Sequence, residues 1–347
     1  MSIDKNNSKV REVSRVIRKH RLKLISNSKV KQVGVGFKFR NGQMTDTVAI
    51  VTFVTKKQTD KELRTQQIEP VAKEIEGIQT DIIEIPGGFR LRQPIADDSR
   101  HRPLSGGVAT INYRLPASGT LGLIVKRRGS TSSSTSDKLY GLTNNHVGAN
   151  EDVEGLSPPA AKRGDGWTHP GAHGGGTVPN DVIAKLYRWN KMKPTAPGVV
   201  NYYDVAVGGL IKKRSSAAEA TPYNIMDIGR VTGMEDSNLG DKVVKRGRTT
   251  LKTNGIVAVI LQDAEVEYNG YPCSFTDQII IVGDPQTIAF SQPGDSGSVI
   301  VSAKKDSRTN AYKTKALLFA GGTSSNGIDY TIASPIKRIA KDFGLRI

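Results

Sequence analysis

The 347-residue sequence contains a single cysteine, Cys273, and no apolar run close to the roughly 20 residues that a membrane-spanning helix needs. One cysteine cannot form a disulfide within the chain. The first twenty residues, MSIDKNNSKVREVSRVIRKH, are charged throughout and have no apolar segment of the kind that marks a signal peptide. These absences favour a reducing, cytoplasmic setting.

Acidic residues are scarce at the N-terminus. The first 40 residues hold twelve Lys and Arg against two acids, a net charge of +10 (12 − 2) out of +17 for the chain. Such a segment either binds an anionic partner through counterion release or is a solvated helix surface. No nucleic-acid-binding fold signature accompanies the charge. Residues 1–40 are therefore only a candidate surface for nucleic acid or an acidic protein, and homo-oligomer formation is left open.

The basic N-terminus has a helical pattern. Val10, Val13, Ile17 and Leu24 are spaced to form one apolar stripe, with Arg and Lys on the other faces. The spacing predicts a basic amphipathic helix over residues 8–25 that packs its stripe against the segment that follows.

That following segment has the pattern of a small α+β domain. Two strand-like runs, KQVGVGFKFR and DTVAIVTFV, flank Asn41-Gly42, which is a strong hairpin signal. Residues 59–76 are polar and compatible with a helix, and DIIEI predicts a last short strand. We expect a small α+β domain over residues 1–87 and a linker over residues 88–105.

The sequence pattern is different in residues 106–347. Short β-rich runs recur there between clusters of Gly, Pro, Asn and Ser, and PIKRIAKDF near the C-terminus is the one clear helical pattern. Many short strands separated by turns are typical of β-barrels and sandwiches. The sequence thus predicts a mostly β fold preceded by a small α+β domain with a basic helix.

Chemistry is suggested by GDSGS, residues 294–298, directly ahead of a β-branched run. A serine hydroxyl such as that of Ser296 needs a neighbouring base to become a nucleophile, and backbone N–H groups to stabilise the oxyanion that it creates. A glycine at position 294 lets the backbone turn an N–H toward that oxyanion.

Only five histidines could serve as the base. His20 lies in the predicted helix and His101 in the predicted linker, whereas His169 and His173 lie in a Pro/Gly-rich stretch that we expect to be exposed. His146 alone follows an apolar strand pattern, KLYGLTNNHV, where a rigid element can present it.

An acid that orients the base is expected at the edge of a strand. Asp204 directly precedes Val-Ala-Val, so it meets that expectation. Each of the three residues has an ordinary structural explanation on its own. Their chain order of His, Asp and Ser is nevertheless that of the chymotrypsin type of triad.

LTNNHV, YDVAV and GDSGS resemble the histidine, aspartate and nucleophile motifs of the chymotrypsin-like serine peptidases. The resemblance covers roughly residues 104–345 and implies a double β-barrel with the active site between the barrels. It implies that His146 is the general base, that Asp204 orients it and that Ser296 attacks. The backbone N–H groups of Gly294 and Ser296 would form the oxyanion hole, with no cofactor and no metal.

The same resemblance implies positions that bind the substrate. The strand Phe319-Ala320-Gly321-Gly322 resembles the segment that pairs with the substrate backbone. Phe290 stands where trypsins carry their specificity aspartate, and with Pro293 it argues against cleavage after Lys or Arg. An apolar or small P1 side chain is therefore expected. RPLSGGVATI resembles the site where secreted zymogens are cut, and we expect it to remain uncut here.

Several longer stretches resemble intracellular bacterial trypsin-like proteins related to the plant Narrow Leaf peptidases. These stretches are VGVGFKFRNGQ, DTVAIVTFVTKK, GTVPNDVIAKL, LGDKVVKRGRTT and FSQPGDSGS. The resemblance extends over nearly the whole chain and implies a serine endopeptidase that forms an acyl-enzyme with a protein or peptide substrate. The alternative is a protease-like scaffold that binds or regulates partners with weak or no hydrolysis.

Overall fold

The computed structural model describes residues 2–26, 30–86, 89, 97–127, 138–157, 159–211, 219–286 and 288–347. Within them the α-helices are α1 (Ser8–Ser26), α2 (Asp60–Thr65), α3 (Asn145–Gly148) and α4 (Ile336–Phe343), and Ala172–Gly174 forms a 3₁₀ turn. The strands are β1 (Val30–Arg40), β2 (Gln43–Val54), β3 (Glu74–Ile75), β4 (Ile78–Glu84), β5 (Leu104–Gly106), β6 (Val108–Asn112), β7 (Gly119–Leu121), β8 (Leu123–Arg127), β9 (Tyr140–Thr143), β10 (Gly166–Thr168), β11 (Val182–Trp189), β12 (Ala206–Leu210), β13 (Ala220–Ile225), β14 (Gly229–Met234), β15 (Lys242–Gly247), β16 (Leu251–Tyr268), β17 (Tyr271–Gly283), β18 (Val299–Ser302), β19 (Tyr312–Thr323), β20 (Asp329–Pro335) and β21 (Leu345–Arg346).

The described strands form two sheets. The first contains eight strands in the order β21-β8-β9-β12-β11-β10-β6-β7. The chain passes from β7 to β8 through Gly122, whose N–H donates to the carbonyl of Leu142 in β9. Because β7 and β8 follow one another across this single residue, the strand path from β8 to β7 closes on itself as a barrel.

The second sheet contains thirteen strands and holds a closed ring of six. β15 pairs with β16, β16 with β17, β17 with β20, β20 with β19, β19 with β18, and β18 with β15. The predicted architecture, mostly β with two barrels and a basic helix ahead of them, is confirmed.

The N-terminal helix forms as its apolar spacing predicts. α1 buries Val10, Val13, Ile17 and Leu24 in one hydrophobic cluster with residues of β1 and of the six-stranded barrel. Burial of each such side chain stabilises the fold by roughly 1.5–3 kcal/mol. Asn41 and Gly42 have φ of 48° and 76° and form the predicted two-residue turn between β1 and β2.

The N-terminal strands continue the second sheet. β1 pairs with β16 at Val35 and Gly36, opposite Ile260 and Val259. The helix-compatible stretch 59–76 is helical only in α2, which begins with a capping box between Thr59 and Glu62. The N-terminal segment thus shares its sheet and its core with the barrel, and its boundary at residue 87 stays a prediction.

Several cations of α1 are already paired with acids of the same chain. Glu76 accepts hydrogen bonds from Lys19 and His20 and forms an ion pair with Arg15. The hydrogen bond from Lys19, followed by that from His20, lowers the pKa of Glu76 to about 2. The proposed anionic partner of residues 1–40 would therefore meet a helix whose charge is partly neutralised, and it stays a prediction.

Residues 97–105, which are most of the described part of the predicted linker, are fixed to the barrel. Arg246 forms an ion pair with Asp97, and Arg248 forms a bidentate pair with Asp98. Both arginines are almost fully buried. α4 forms where the C-terminal helical pattern predicts it. None of the described helices is long and apolar enough to span a membrane.

Candidate active site

His146 and Asp204 come together because their strands are neighbours. β9 and β12 pair antiparallel, with Thr143 opposite Ala206, so the end of β9 meets the start of β12. His146 lies in the short helix after β9, and its Nδ1 is 2.5 Å from Asp204 Oδ2. A carboxylate acceptor places the proton on Nδ1 and leaves Nε2 free to accept one.

Asp204 is fully buried and receives hydrogen bonds from both sheets. Its Oδ1 accepts from the backbone N–H of Asn145 at 2.5 Å, and its Oδ2 accepts from the hydroxyl of Tyr268 at 2.9 Å. The side chain of Asn144 donates to the Asp204 carbonyl at 2.8 Å. The donors to Oδ1 and Oδ2 replace the hydrogen bonds to water that the carboxylate loses on burial.

Tyr268 is a site residue that the sequence pattern did not reveal. It is fully buried on the second sheet, at the end of β16. Burial first, and then the charge of Asp204, raise the pKa of Tyr268 well above its ordinary value, so its hydroxyl keeps its proton and donates. Tyr268 is 64 residues from Asp204, and no local signal connects them.

Ser296 lies in a loop whose backbone requires glycine. Gly294 and Gly297 both have φ of 95°, a conformation that other residues rarely adopt. A Cβ on Gly297 would lie 2.1 Å from the carbonyl oxygen of Thr120. The hydroxyl of Ser296 donates to the carbonyl of Phe319 at 3.3 Å.

The loop around Ser296 is anchored by Asp295, which is fully buried. Its carboxylate accepts from the backbone N–H groups of Thr249, Thr250 and Gln292, at 2.8 to 3.1 Å, and from the Thr250 hydroxyl at 2.7 Å. The fully buried amine of Lys245 lies 3.2 Å from Asp295 Oδ2.

The ion pair with Lys245 bears on whether the chain has to be cut. Burial lowers the pKa of Lys245, and the charge of Asp295 opposes that shift. Gly247, two residues after Lys245, leaves room for the carboxylate, because a Cβ there would lie 2.3 Å from Asp295 Oδ1. A cut in RPLSGGVATI would create a new N-terminal amine near Gly106, which could pair with Asp295. Lys245 already provides Asp295 with a cation partner in the uncut chain, so that amine is not needed.

Thr120 of the first sheet holds the Ser296 loop from the other side. Its N–H donates to the Ser296 carbonyl at 2.8 Å, and its hydroxyl donates to the Gly294 carbonyl at 2.9 Å. Among the described residues, no protein acceptor takes the backbone N–H of Gly294 or of Ser296. Two unpaired amides flanking a serine are suited to stabilise an oxyanion.

His146 and Ser296 line one cavity of about 230 Å³ between the sheets. The other residues that line it are Ile111, Leu115, Ala117, Ser118, Gly119, Val147, Glu151 and Gly294. Two larger cavities lie in the N-terminal segment. One of about 490 Å³ lies between α1 and residues 67–75, and one of about 380 Å³ is lined by residues between 30 and 82. Neither contains any of the three predicted catalytic residues.

None of the predicted substrate-binding residues is among those that line this cavity. Phe290 is fully buried in the cluster that contains the α1 stripe, and Phe319 is fully buried against Phe275. Pro293 is half-buried, and Ala320, Gly321 and Gly322 belong to β19, paired with β20. Their contacts with a substrate stay predictions.

His169 departs from the expectation of exposure, whereas His173 is exposed as expected. His169 is fully buried, its Nδ1 donates to the Ala109 carbonyl, and its Nε2 accepts from the backbone N–H of His101. Burial lowers the pKa of His169 to about 4, so its ring is neutral. The expectation was wrong because the Pro/Gly-rich stretch contains β10, a strand of the first sheet, and His169 directly follows that strand. Among the described residues, no three His, Cys, Asp or Glu side chains are grouped to hold a metal ion.

The chain is similar in sequence to Narrow Leaf proteins. The family described as the Nal1 C-terminal domain matches residues 221–332. Protein NARROW LEAF 1 of Oryza sativa subsp. japonica is 28% identical over 320 residues, which cover 84% of this chain and 51% of that protein. The chain thus spans about half the length of this relative.

Solved structures of serine proteases also align with the chain. A glutamic acid specific serine protease, described as using a histidine triad in substrate binding, aligns with a TM-score of 0.44 and 14% identity, over 70% of this chain and 100% of its own. Thermobifida fusca Protease A aligns with a TM-score of 0.43 and 17% identity, over 70% and 96%. The resemblance to the Narrow Leaf group that the sequence motifs predicted is confirmed by the family match and the rice relative.

Proposed function

We propose that the chain is a serine endopeptidase that hydrolyses peptide bonds through an acyl-enzyme on Ser296. The observation that carries the proposal is the shared cavity, which is lined by a histidine paired with a buried aspartate and by Ser296. The amides of Gly294 and Ser296 have no protein acceptor within the described part of the chain. No cofactor takes part in the proposed reaction. The expected preference for an apolar or small P1 residue belongs to the same proposal.

Each residue has a role that follows from its contacts. Ser296 Oγ turns from the Phe319 carbonyl toward His146, gives its proton to Nε2 and attacks the substrate carbonyl carbon. The N–H groups of Gly294 and Ser296 donate hydrogen bonds to the oxyanion that forms. Asp204 stabilises the imidazolium, which then protonates the leaving amine, and water releases the acyl group by the same steps.

One observation favours the second candidate, a protease-like scaffold with weak or no hydrolysis. The hydroxyl of Ser296 is hydrogen-bonded to the Phe319 carbonyl, and in that orientation it cannot give its proton to His146. Catalytic hydrogen bonds often form only once substrate is bound. A measurement of reactivity therefore decides between the two candidates.

Replacing Ser296 with Ala tests the proposal. Wild-type protein is expected to react covalently with a fluorophosphonate probe and to cleave a peptide library, whereas Ser296→Ala does neither, because the attacking oxygen is gone. The matched control is Ser291→Ala, which removes a buried hydroxyl paired with Thr331 in the same segment. Labelling that persists in Ser296→Ala contradicts the proposal, and a folded wild type without labelling or cleavage favours the scaffold.

A further inference from the structure

The hairpin formed by β16 and β17 extends beyond the six-stranded barrel to which both strands belong. β17 pairs with β20 only from Ile279 to Val282, whereas its ladder with β16 continues to Tyr268 opposite Tyr271. Asn269 and Gly270, with φ of 47° and 81°, close the hairpin in a two-residue turn. The strands thus continue past the barrel and carry the tip of the hairpin, residues 268–271, away from the closed ring.

The tip reaches the part of the first sheet that holds the His146–Asp204 pair. Tyr268 donates its hydroxyl to Asp204 Oδ2, the oxygen that also receives His146 Nδ1. The ring centroids of Tyr268 and His146 are 6.3 Å apart at 59°. From its own sheet the Asp204 carboxylate receives one further donor, the backbone N–H of Asn145, on Oδ1.

The next residue of the tip holds the segment that follows the histidine. Asn269 donates its N–H to Glu151 Oε2 at 3.1 Å and its side-chain amide to the Glu151 carbonyl at 2.8 Å. Asn150 and Glu151 both have φ of 55°, a conformation that costs free energy unless other contacts fix it. Two consecutive residues of the tip therefore contact the acid and the loop five residues after the base.

We propose that Tyr268 is a positioning residue that holds the Asp204 carboxylate in the orientation needed to orient His146. This inference rests on the proposed function and adds to it a contact from the opposite sheet. The geometry gives the reason: Oδ2 is shared between an imidazole N–H and a phenol O–H, so the two donors fix its position between them. Without the hydroxyl, His146 would be the one remaining donor to Oδ2 among the described residues.

Tyr268→Phe tests the inference because it removes one oxygen and keeps the buried ring. The rate of fluorophosphonate labelling is expected to fall about tenfold, the effect of losing one hydrogen bond to a charged group. The proton resonance of His146 Nδ1–H, assigned with His146→Gln, is expected to move, because Asp204 Oδ2 then bonds only to the imidazole. This second measurement does not depend on hydrolysis.

The matched control is Tyr330→Phe, a buried tyrosine of the same hydrophobic cluster. It is expected to leave both the labelling rate and the His146 resonance unchanged, whatever it does to stability. An unchanged resonance in Tyr268→Phe overturns the inference, as does an equal loss of labelling in both variants. If wild type does not label at all, the proposed peptidase fails, while the resonance still decides whether Tyr268 positions the pair.

Discussion

The His146–Asp204 pair and the Ser296 loop lie on different sheets and are fixed by different interactions. The pair is held by hydrogen bonds that converge on one buried carboxylate from Asn145 and Tyr268. The loop is held by a buried ion pair, by backbone hydrogen bonds and by glycines with positive φ. The geometry of the pair therefore depends on a few hydrogen bonds to the Asp204 carboxylate. The geometry of the loop depends on the buried ion pair and on its backbone conformation.

This difference predicts how substitutions in the pair and in the loop affect reactivity and stability. A lost donor at Asp204 leaves a buried charge with fewer hydrogen bonds but leaves the strands around it intact. A lost cation at Asp295 leaves an uncompensated buried charge, which costs much more. Changes at the pair should thus affect reactivity before stability, whereas changes at the loop should affect both.

The largest effect on stability is expected from Lys245→Met. It leaves the Asp295 carboxylate buried without its cation, so the free energy of unfolding should fall by about 3–5 kcal/mol. Urea denaturation measures the change. The matched control is Lys242→Met on the same strand, whose pair with Asp284 has exposed fractions of 69% and 30%. That exposed pair is worth at most about 1 kcal/mol, so equal losses in the two variants would refute the distinction.

The comparison also separates what could be predicted from the sequence from what could not. The motifs around His146, Asp204 and Ser296 are local, and the apolar stripe of α1 and the Asn41-Gly42 turn follow from spacing and backbone preference alone. These features could be predicted because each depends on neighbours within a few residues.

The contacts that support the site connect distant parts of the chain. Thr120 bonds to Gly294 across 174 residues, and Tyr268 to Asp204 across 64. Of these supporting residues, Lys245 alone could have been suspected from the sequence, because a lysine among the β-branched residues of β15 suggests a buried ion pair. Its partner could not be named, and neither could the pairing of β1 with β16, because register between distant strands is set by the whole core.

His169, which follows β10, allows the pair to be compared with a buried imidazole whose two ring nitrogens bond to backbone groups. The pKa of His169 is lowered by burial to about 4, below the ordinary value of about 6.5. Between these pH values the unfolded chain binds a proton that the folded chain does not. The free energy of unfolding should therefore fall by roughly 3 kcal/mol as pH drops from 6.5 to 4, and His169 should contribute no further loss below that.

His169→Gln isolates this contribution from the general effect of acid on a basic protein. The variant loses the imidazole, so its free energy of unfolding should fall less steeply over that range of pH, by the same roughly 3 kcal/mol. Denaturation at several pH values gives both slopes, and the lower stability of the variant at neutral pH does not affect the comparison. Identical slopes would show that His169 does not titrate as its burial requires.

The smallest effect on stability is expected at Thr120, where the first sheet is hydrogen-bonded to the Ser296 loop of the second sheet. Thr120→Val removes the hydroxyl that donates to Gly294 and accepts from the N–H of Arg248, but it keeps the shape and the backbone bond to Ser296. Stability should fall by about 1–3 kcal/mol. Thr110→Val removes a buried hydroxyl with one bond, to the Thr168 carbonyl elsewhere on that sheet, and should cost no more than Thr120→Val. Only Thr120→Val should also slow fluorophosphonate labelling, because only there does the hydroxyl hold Gly294, whose own N–H is one of the two oxyanion amides. Equal labelling in the two variants would mean that the backbone of the loop holds Gly294 without help from the first sheet.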